Sequence, residues 1–199
     1  MFINILFPLL THDIPKTMSD EDIVKEFLLT QNVAYFDVLY KRYAGKIFGK
    51  CISLLKDEEY AEDSVQEIFM KILLNMSKFS GRSKFSTWIY SITYNYCIDR
   101  IRRKKKDPSM LVEDLSNHDV EDSVEDAFLI EMEIKRLKVI LEHIPVKDKS
   151  ILLMKYQDGM TIKEIGETID KSESAVKMKI KRAKQKFRNI YYDRYREEN

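Results

Sequence analysis

The sequence predicts an all-α protein: two small helical domains joined by a flexible acidic linker. Three observations carry that reading. Turn-formers are scarce, with 5 glycines and 4 prolines in 199 residues, while Leu, Ile, Lys and Glu, all good helix formers, abound. Apolar residues recur at spacings of three and four, not two. One stretch, residues 107–126, breaks that pattern and holds no Lys or Arg. The overall balance, 44% hydrophobic and 34% charged, is that of a folded chain without global disorder.

The elements follow in order. Residues 2–10, FINILFPLL, are apolar but too short to span a bilayer, and no Lys or Arg precedes them. Met18 then opens MSDEDIVKEFLL, where Ser19 is placed to cap a helix with Asp22 in the capping-box position. We read Met18 as the start and residues 1–17 as an N-terminal extension; the alternative is a short membrane-associating leader. The first domain, 18–106, carries successive apolar stripes. Val24, Phe27 and Leu28 form one; Phe36, Leu39, Tyr40 and Tyr43 the next; Ile47, Cys51, Leu54 and Leu55 continue it. Ala61, Val65, Ile68, Phe69, Ile72 and Leu73 mark another helix. Gly81 breaks the chain, and a last helix carries Phe85, Trp88, Ile89, Ile92, Tyr96 and Ile101. Such stripes bury against one another in a bundle of four or five helices.

The acidic linker, 107–126, begins with Asp107-Pro108 and has little periodicity. The second domain, 127–192, is divided by Pro145 and by Asp158-Gly159. Its last part reads as a helix-turn-helix. Thr161 and Glu164 form a capping box, and Ile162, Ile165 and Ile169 line the inner face of the first helix. Gly166 offers a close-approach point for a neighbouring helix. Asp170 suits the left-handed conformation of the turn, and Ser172 caps the second helix. Val176, Ile180, Ala183 and Phe187 recur at four, three and four and face inward. Ser174, Lys177, Met178, Lys181 and Arg182 therefore face outward, as on a helix that enters a major groove.

Net charge is +1, but its distribution is uneven. Arg100–Lys106 holds six cations in seven residues, and Lys171–Arg188 holds eight cations with one acid, Glu173. Two basic surfaces on either side of an acidic stretch suit a polyanion contacted at two places. Cys51 and Cys97 are far apart in sequence and lack metal spacing, so both read as small buried thiols. No catalytic constellation stands out. His12, His118 and His143 are isolated, and HExxH, GxxxxGK[ST] and GxSxG are absent. A nuclease using Asp63 and Glu67 as metal ligands would need further carboxylates at the same place. A plain helix-turn-helix regulator would leave the first domain unexplained.

The residues at this point resemble a known family. Ile144-Pro145, Tyr156-Gln157-Asp158-Gly159 and Ile162–Phe187 resemble region 4 of extracytoplasmic-function (ECF) sigma factors, of the sigma-70 family. FDVLYKRY (36–43), YAEDSVQEIFMKI (60–72), FSTWIYSITYN (85–95) and Asp99–Arg103 resemble region 2, in that family's order. The resemblance spans about residues 19–190. It implies a protein that binds core RNA polymerase, directs it to promoters and helps melt the DNA. Asp63, Gln66 and Glu67, on one helix face, are then the polymerase-docking residues. Arg82, Ser83 and Lys84 form the loop that captures a flipped base of the minus-ten element. Tyr90, Tyr94 and Asn95 would supply stacking and edge hydrogen bonds, and Arg100, Arg103 and Lys104 the phosphate contacts. Ser172, Ser174, Lys177, Met178, Lys181 and Arg182 would read the minus-thirty-five element. Trp88 and Phe85 read as core.

The implied partners are core RNA polymerase and promoter DNA, with room for an anti-sigma factor. No cofactor, metal, catalytic residue or small-molecule substrate is implied, and the expected location is the cytoplasm. Related linkers thread toward the RNA exit path, where an acidic chain imitates RNA; a plain tether stands equally open. Two departures are visible. Asp170 and Lys171 replace the family's usual Gly and apolar residue in the turn, which predicts a looser turn. Ser91-Ile92 stand where primary sigma factors have paired tryptophans, which implies weaker melting and stricter promoter demands.

Overall fold

The computed structural model describes residues 14–15, 17–104 and 136–195, and among them there is no β-strand. The acidic linker 107–126 and most of the N-terminal extension lie outside the described residues. The chain divides into two compact units between Cys97 and Ile98.

In the first unit, α1 (Asp20–Thr30), α2 (Val33–Leu55), α3 (Glu58–Asn75) and α4 (Phe85–Lys104) follow one another, with a short 3₁₀ turn, Met76–Lys78, after α3. The division of the chain falls inside α4, whose last turns are charged. Each of the first three helices begins with a side-chain cap. Ser19 Oγ accepts from the Asp22 amide at 3.1 Å, Asn32 Oδ1 from Ala34 at 3.0 Å and Asp57 Oδ1 from Tyr60 at 3.0 Å. Each cap satisfies an amide that the helix geometry leaves over, worth about 1 kcal/mol. The Ser19 hydroxyl also donates to the Asp22 carboxylate at 2.6 Å, in place of a full capping box. At the other ends, Gln31 (φ 54°) and Lys56 (φ 58°) adopt the left-handed conformation, and their amides bond Phe27 O and Ile52 O. These caps reverse the chain within a few residues, so α1, α2 and α3 pack side by side.

The core of this unit is built from Ile23, Val24 and Phe27 of α1, and Leu39, Tyr43, Ile47, Cys51 and Leu54 of α2. Ala61, Val65, Ile68, Phe69 and Ile72 of α3 join them, with Phe85, Ile89, Tyr94, Tyr96 and Cys97 of α4. The first two stripes differ from expectation: Ile23 is buried, whereas Leu28 of the first and Tyr40 of the second stand at the surface, 36% and 40% exposed. Phe79, Phe85 and Trp88 cluster, with ring centroids 5.2–5.6 Å apart. Phe85 is fully buried and Trp88 half-buried.

In the second unit, helical residues 136–143 (α5) lead to Pro145, which opens α6 (Val146–Leu152). α6 runs into a widened π turn, Leu153–Gln157, closed by the Asp158 amide on Leu153 O at 3.0 Å. Gly159 (φ 65°) then turns the chain into α7 (Ile162–Ile169), and Asp170 leads to α8 (Glu173–Tyr195). Ile140, Ile144, Ile151, Leu152, Met154, Met160, Ile165, Val176, Ile180 and Ala183 are buried together. Lys186 of α8 bridges to Asp148 of α6, and Arg194 donates to His143 Nε2 at 3.0 Å.

Candidate nucleic-acid interface

The helix-turn-helix forms from local rules. Thr161 Oγ1 accepts from the Glu164 amide at 3.2 Å, and the Glu164 carboxylate accepts from the Thr161 amide at 2.8 Å, a reciprocal capping box. Asp170 takes the left-handed conformation (φ 52°) that glycine usually supplies, and its amide bonds Gly166 O. The Lys171 amide also reaches Gly166 O, at 2.9 Å. The turn is therefore closed by two backbone hydrogen bonds, where a looser turn was expected. Gly166 has a different role from the one expected. A Cβ there would stand 2.6 Å from the Lys171 carbonyl oxygen, so the close approach is to the turn backbone, with Val176 Cγ2 next at 3.7 Å.

Ser172 Oγ accepts from the Ala175 amide at 3.4 Å and starts α8. Val176, Ile180 and Ala183 are buried, and Phe187 is half-buried. Ser172, Ser174, Lys177, Met178, Lys181 and Arg182 are all exposed. The basic run is thereby sorted by the fold. Lys186 is held by Asp148, and Lys184 lies over the Tyr156 ring at 5.9 Å. Lys177, Lys181 and Arg182 lie nearer the N-terminus of α8 and join no ion pair among the described residues.

In the first unit, Asp63, Gln66 and Glu67 are exposed along one face of α3, at spacings of three and one. Before α4, Gly81 (φ 69°) turns the chain into the loop of Arg82, Ser83 and Lys84; Arg82 and Lys84 are exposed and Ser83 half-buried. Along α4, Asn95 and Arg103 are exposed, while Tyr90, Arg100 and Lys104 are half-buried.

Tyr94 departs from expectation: it is fully buried, so its ring has no face to offer a base. The physical reason is α4's wide buried arc, in which Thr93, Tyr94, Tyr96 and Cys97 are all enclosed. Tyr90 is half-buried, with the Lys50 ammonium over its ring at 4.2 Å and Tyr43 edge-on at 6.2 Å. Lys50 escaped the sequence reading. A lysine inside an apolar stripe, one residue before Cys51, was the available sign, because burying an ammonium requires partners such as these rings.

Two other features need the fold to be seen. Cys97 Sγ lies 3.8 Å from Cys51 Sγ, and both are buried. The hydrogen bond to Cys51, then burial, pushes the Cys97 thiol up from its ordinary value. Tyr43 is likewise pushed up, first by burial and then by its hydrogen bond to Asp20. Among the described residues no group of His, Cys, Asp and Glu gathers in a way that could hold a metal ion, and no helix is long and apolar enough to cross a membrane.

A bundle with an exposed acidic helix face and a basic terminal helix, on one chain with a basic helix-turn-helix, defines a two-domain transcription initiation factor. Residues 39–107 match the family model for Sigma-70 region 2, and residues 134–187 that for Sigma-70, region 4. The ECF RNA polymerase sigma factor SigW of Bacillus subtilis (strain 168) is 33% identical over 161 residues, covering 76% of this chain and 86% of SigW. SigX of the same organism is 25% identical over 147 residues, covering 71% and 76%. CnrH, solved in complex with the cytosolic domain of CnrY, shares the fold with a TM-score of 0.61 at 19% identity, covering 88% of this chain and 98% of CnrH. RpoE of Bartonella quintana, solved with the anti-sigma factor NepR, gives 0.59 at 16% identity, covering 85% and 96%. The chain belongs to the ECF sigma factors of the sigma-70 family: it binds core RNA polymerase and directs promoter-specific initiation of transcription.

Proposed function

We propose that this sigma factor divides its work as follows. The α3 face of Asp63, Gln66 and Glu67 docks on core polymerase. The Arg82–Lys84 loop, with Asn95 and the half-buried edge of Tyr90, reads the minus-ten element as DNA opens. Arg100, Arg103 and Lys104 run along its phosphates. Ser172, Ser174, Lys177, Met178, Lys181 and Arg182 meet the minus-thirty-five element in the major groove. The functional domains are residues 18–106 and 127–192, with 107–126 as the acidic tether. The protein performs no chemistry of its own and acts in the cytoplasm, where its polymerase works. An anti-sigma factor restrains it, as the complexes of CnrH with CnrY and of RpoE with NepR illustrate for proteins of the same fold.

One observation carries this reading best. Among the cations of α8, Lys186 is paired with Asp148 and Lys184 lies over the Tyr156 ring, while Lys177, Lys181 and Arg182 stand exposed nearer the turn, in no ion pair among the described residues. A helix presenting a basic face at that place matches the geometry of major-groove readers. The test is run-off transcription with core polymerase over a library of genomic promoters. Discrete transcripts that need the added protein are expected; their absence across the library overturns the assignment.

A further inference from the structure

α4 begins without a cap of its own. The residue before its first, Lys84, carries no side-chain acceptor, and the Ser83 hydroxyl lies against Lys84 O at 3.5 Å. Yet the Phe85 amide, one of those a helix start leaves over, is satisfied: it donates to Glu21 Oε1 at 2.8 Å, from a residue 64 positions earlier in the chain. Asp20, Glu21 and Asp22 at the start of α1 look in sequence like acids complementing their own helix dipole. The fold uses them otherwise. Asp20 accepts from Arg42 Nη1 at 2.5 Å and from the Tyr43 hydroxyl, which ties α1 to α2. Asp22 takes the Ser19 hydroxyl. Glu21 reaches across to α4.

The Phe85 ring is held from the other side. Phe79 lies at 5.2 Å, Trp88 at 5.6 Å and Tyr43 at 6.0 Å. Residues 80–84 thus form a short loop whose two ends, Phe79 and Phe85, are in ring contact. The end nearest Arg82, Ser83 and Lys84 is pinned by a carboxylate on the backbone and by aromatic packing on the side chain.

We infer that Glu21 is a positioning residue for promoter reading: by capping α4 from α1, it holds the Arg82–Lys84 loop in the arrangement that meets the minus-ten element. The inference rests on the assignment of that loop proposed above. Glu21 touches no DNA in this scheme; it acts through the population of the ordered loop. A competent state populated only in part lowers apparent affinity by that fraction. Losing a cap of this kind corresponds to an about 3- to 30-fold fall in the equilibrium constant for ordering the loop, which bounds the fall in that population. Glutamine keeps the accepting oxygen and loses only the charge.

The experiment uses the full chain with core polymerase. Open-complex formation is measured on a promoter with an intact minus-ten element and on one with that element scrambled, and the ratio is the readout. Core binding and the melting temperature are followed in parallel. Glu21→Ala is expected to lower the ratio, by up to about 30-fold, Glu21→Gln to restore most of it, and core affinity to stay unchanged. A merely structural role would lower activity on both promoters alike, leave the ratio as it was, and so overturn the inference. Ser83→Ala and Lys84→Ala separate the two layers. If they lower the ratio and Glu21→Ala does not, the positioning role of Glu21 falls alone. If neither they nor Glu21→Ala change it, the assignment of the loop itself falls.

Discussion

At the scale of single residues, neighbours in sequence are given opposite tasks by the helix turn. Tyr94 is enclosed while Asn95 is exposed. Tyr94→Ala should destabilise the first unit by about 3–5 kcal/mol, the cost of removing a large buried aromatic ring. Asn95→Ala should move stability by no more than about 0.5 kcal/mol. Denaturant unfolding of the two variants checks both, and a mild effect of Tyr94→Ala would show that its ring is not part of the core. Asp63 stands exposed on the α3 face. Asp63→Lys should weaken core polymerase binding about tenfold, roughly 1.4 kcal/mol, with little change in melting. Unchanged affinity in a direct titration would remove Asp63 from the docking surface.

At the scale of elements, two contacts decide how helices meet. Gly166 leaves room for the Lys171 carbonyl oxygen where a Cβ would stand at 2.6 Å. The obstacle is backbone, which cannot rotate aside. Gly166→Ala should therefore open the turn between α7 and α8 at a cost of about 1–3 kcal/mol and weaken minus-thirty-five binding. Thermal unfolding and binding to upstream duplex DNA are the measurements; a variant as stable as the parent would contradict the close approach. Between α2 and α4, Cys51 and Cys97 sit side by side in the core. A thiol pushed up by a hydrogen bond and burial stays protonated and is a poor nucleophile. Neither cysteine should react with an alkylating reagent until the protein is denatured. The linkage has a definite sign. Cys97 and Tyr43 both titrate higher when folded, so their contribution is fully present below their unfolded values, about 8.5 and about 10, and is lost as pH rises beyond them. The unfolding midpoint should fall above about pH 8.5, and a midpoint that rises there would contradict it.

At the scale of the whole molecule, two reading units on one chain predict separable defects. Lys181→Ala should reduce initiation in a way that depends on the minus-thirty-five element, because a base contact is worth roughly 1–3 kcal/mol. Asn95→Ala should leave upstream recognition intact and impair opening. Initiation from promoters with each element scrambled in turn distinguishes them. Equal losses of the Lys181 variant on intact and scrambled upstream elements would make it a phosphate contact, visible as a shallower salt dependence. Sensitivity of the Asn95 variant to the upstream element would reverse the two assignments.

The sequence by itself determined what depends on neighbours a few residues apart. The capping box of Thr161 and Glu164, the left-handed Asp170, the Ser172 cap and the inward stripe of Val176, Ile180 and Ala183 are all local. Helix periodicity and side-chain caps are written in spacings of three and four, and the resemblance to ECF sigma factors was legible in those same blocks. The exposure of Asp63, Gln66 and Glu67 followed from one helical face in the same way. The tertiary structure alone decided the rest. It closed Tyr94 inside the bundle, brought Cys97 to Cys51 across 46 residues, and set Glu21 on the Phe85 amide across 64. It also made the Lys171 carbonyl oxygen of the turn, and not the side chain of α8, the nearest neighbour of Gly166. Periodicity reports which side of a helix is buried, but not how wide the buried arc is nor which distant group meets a given atom. Those are set by how the helices pack, and packing joins residues that no local pattern links.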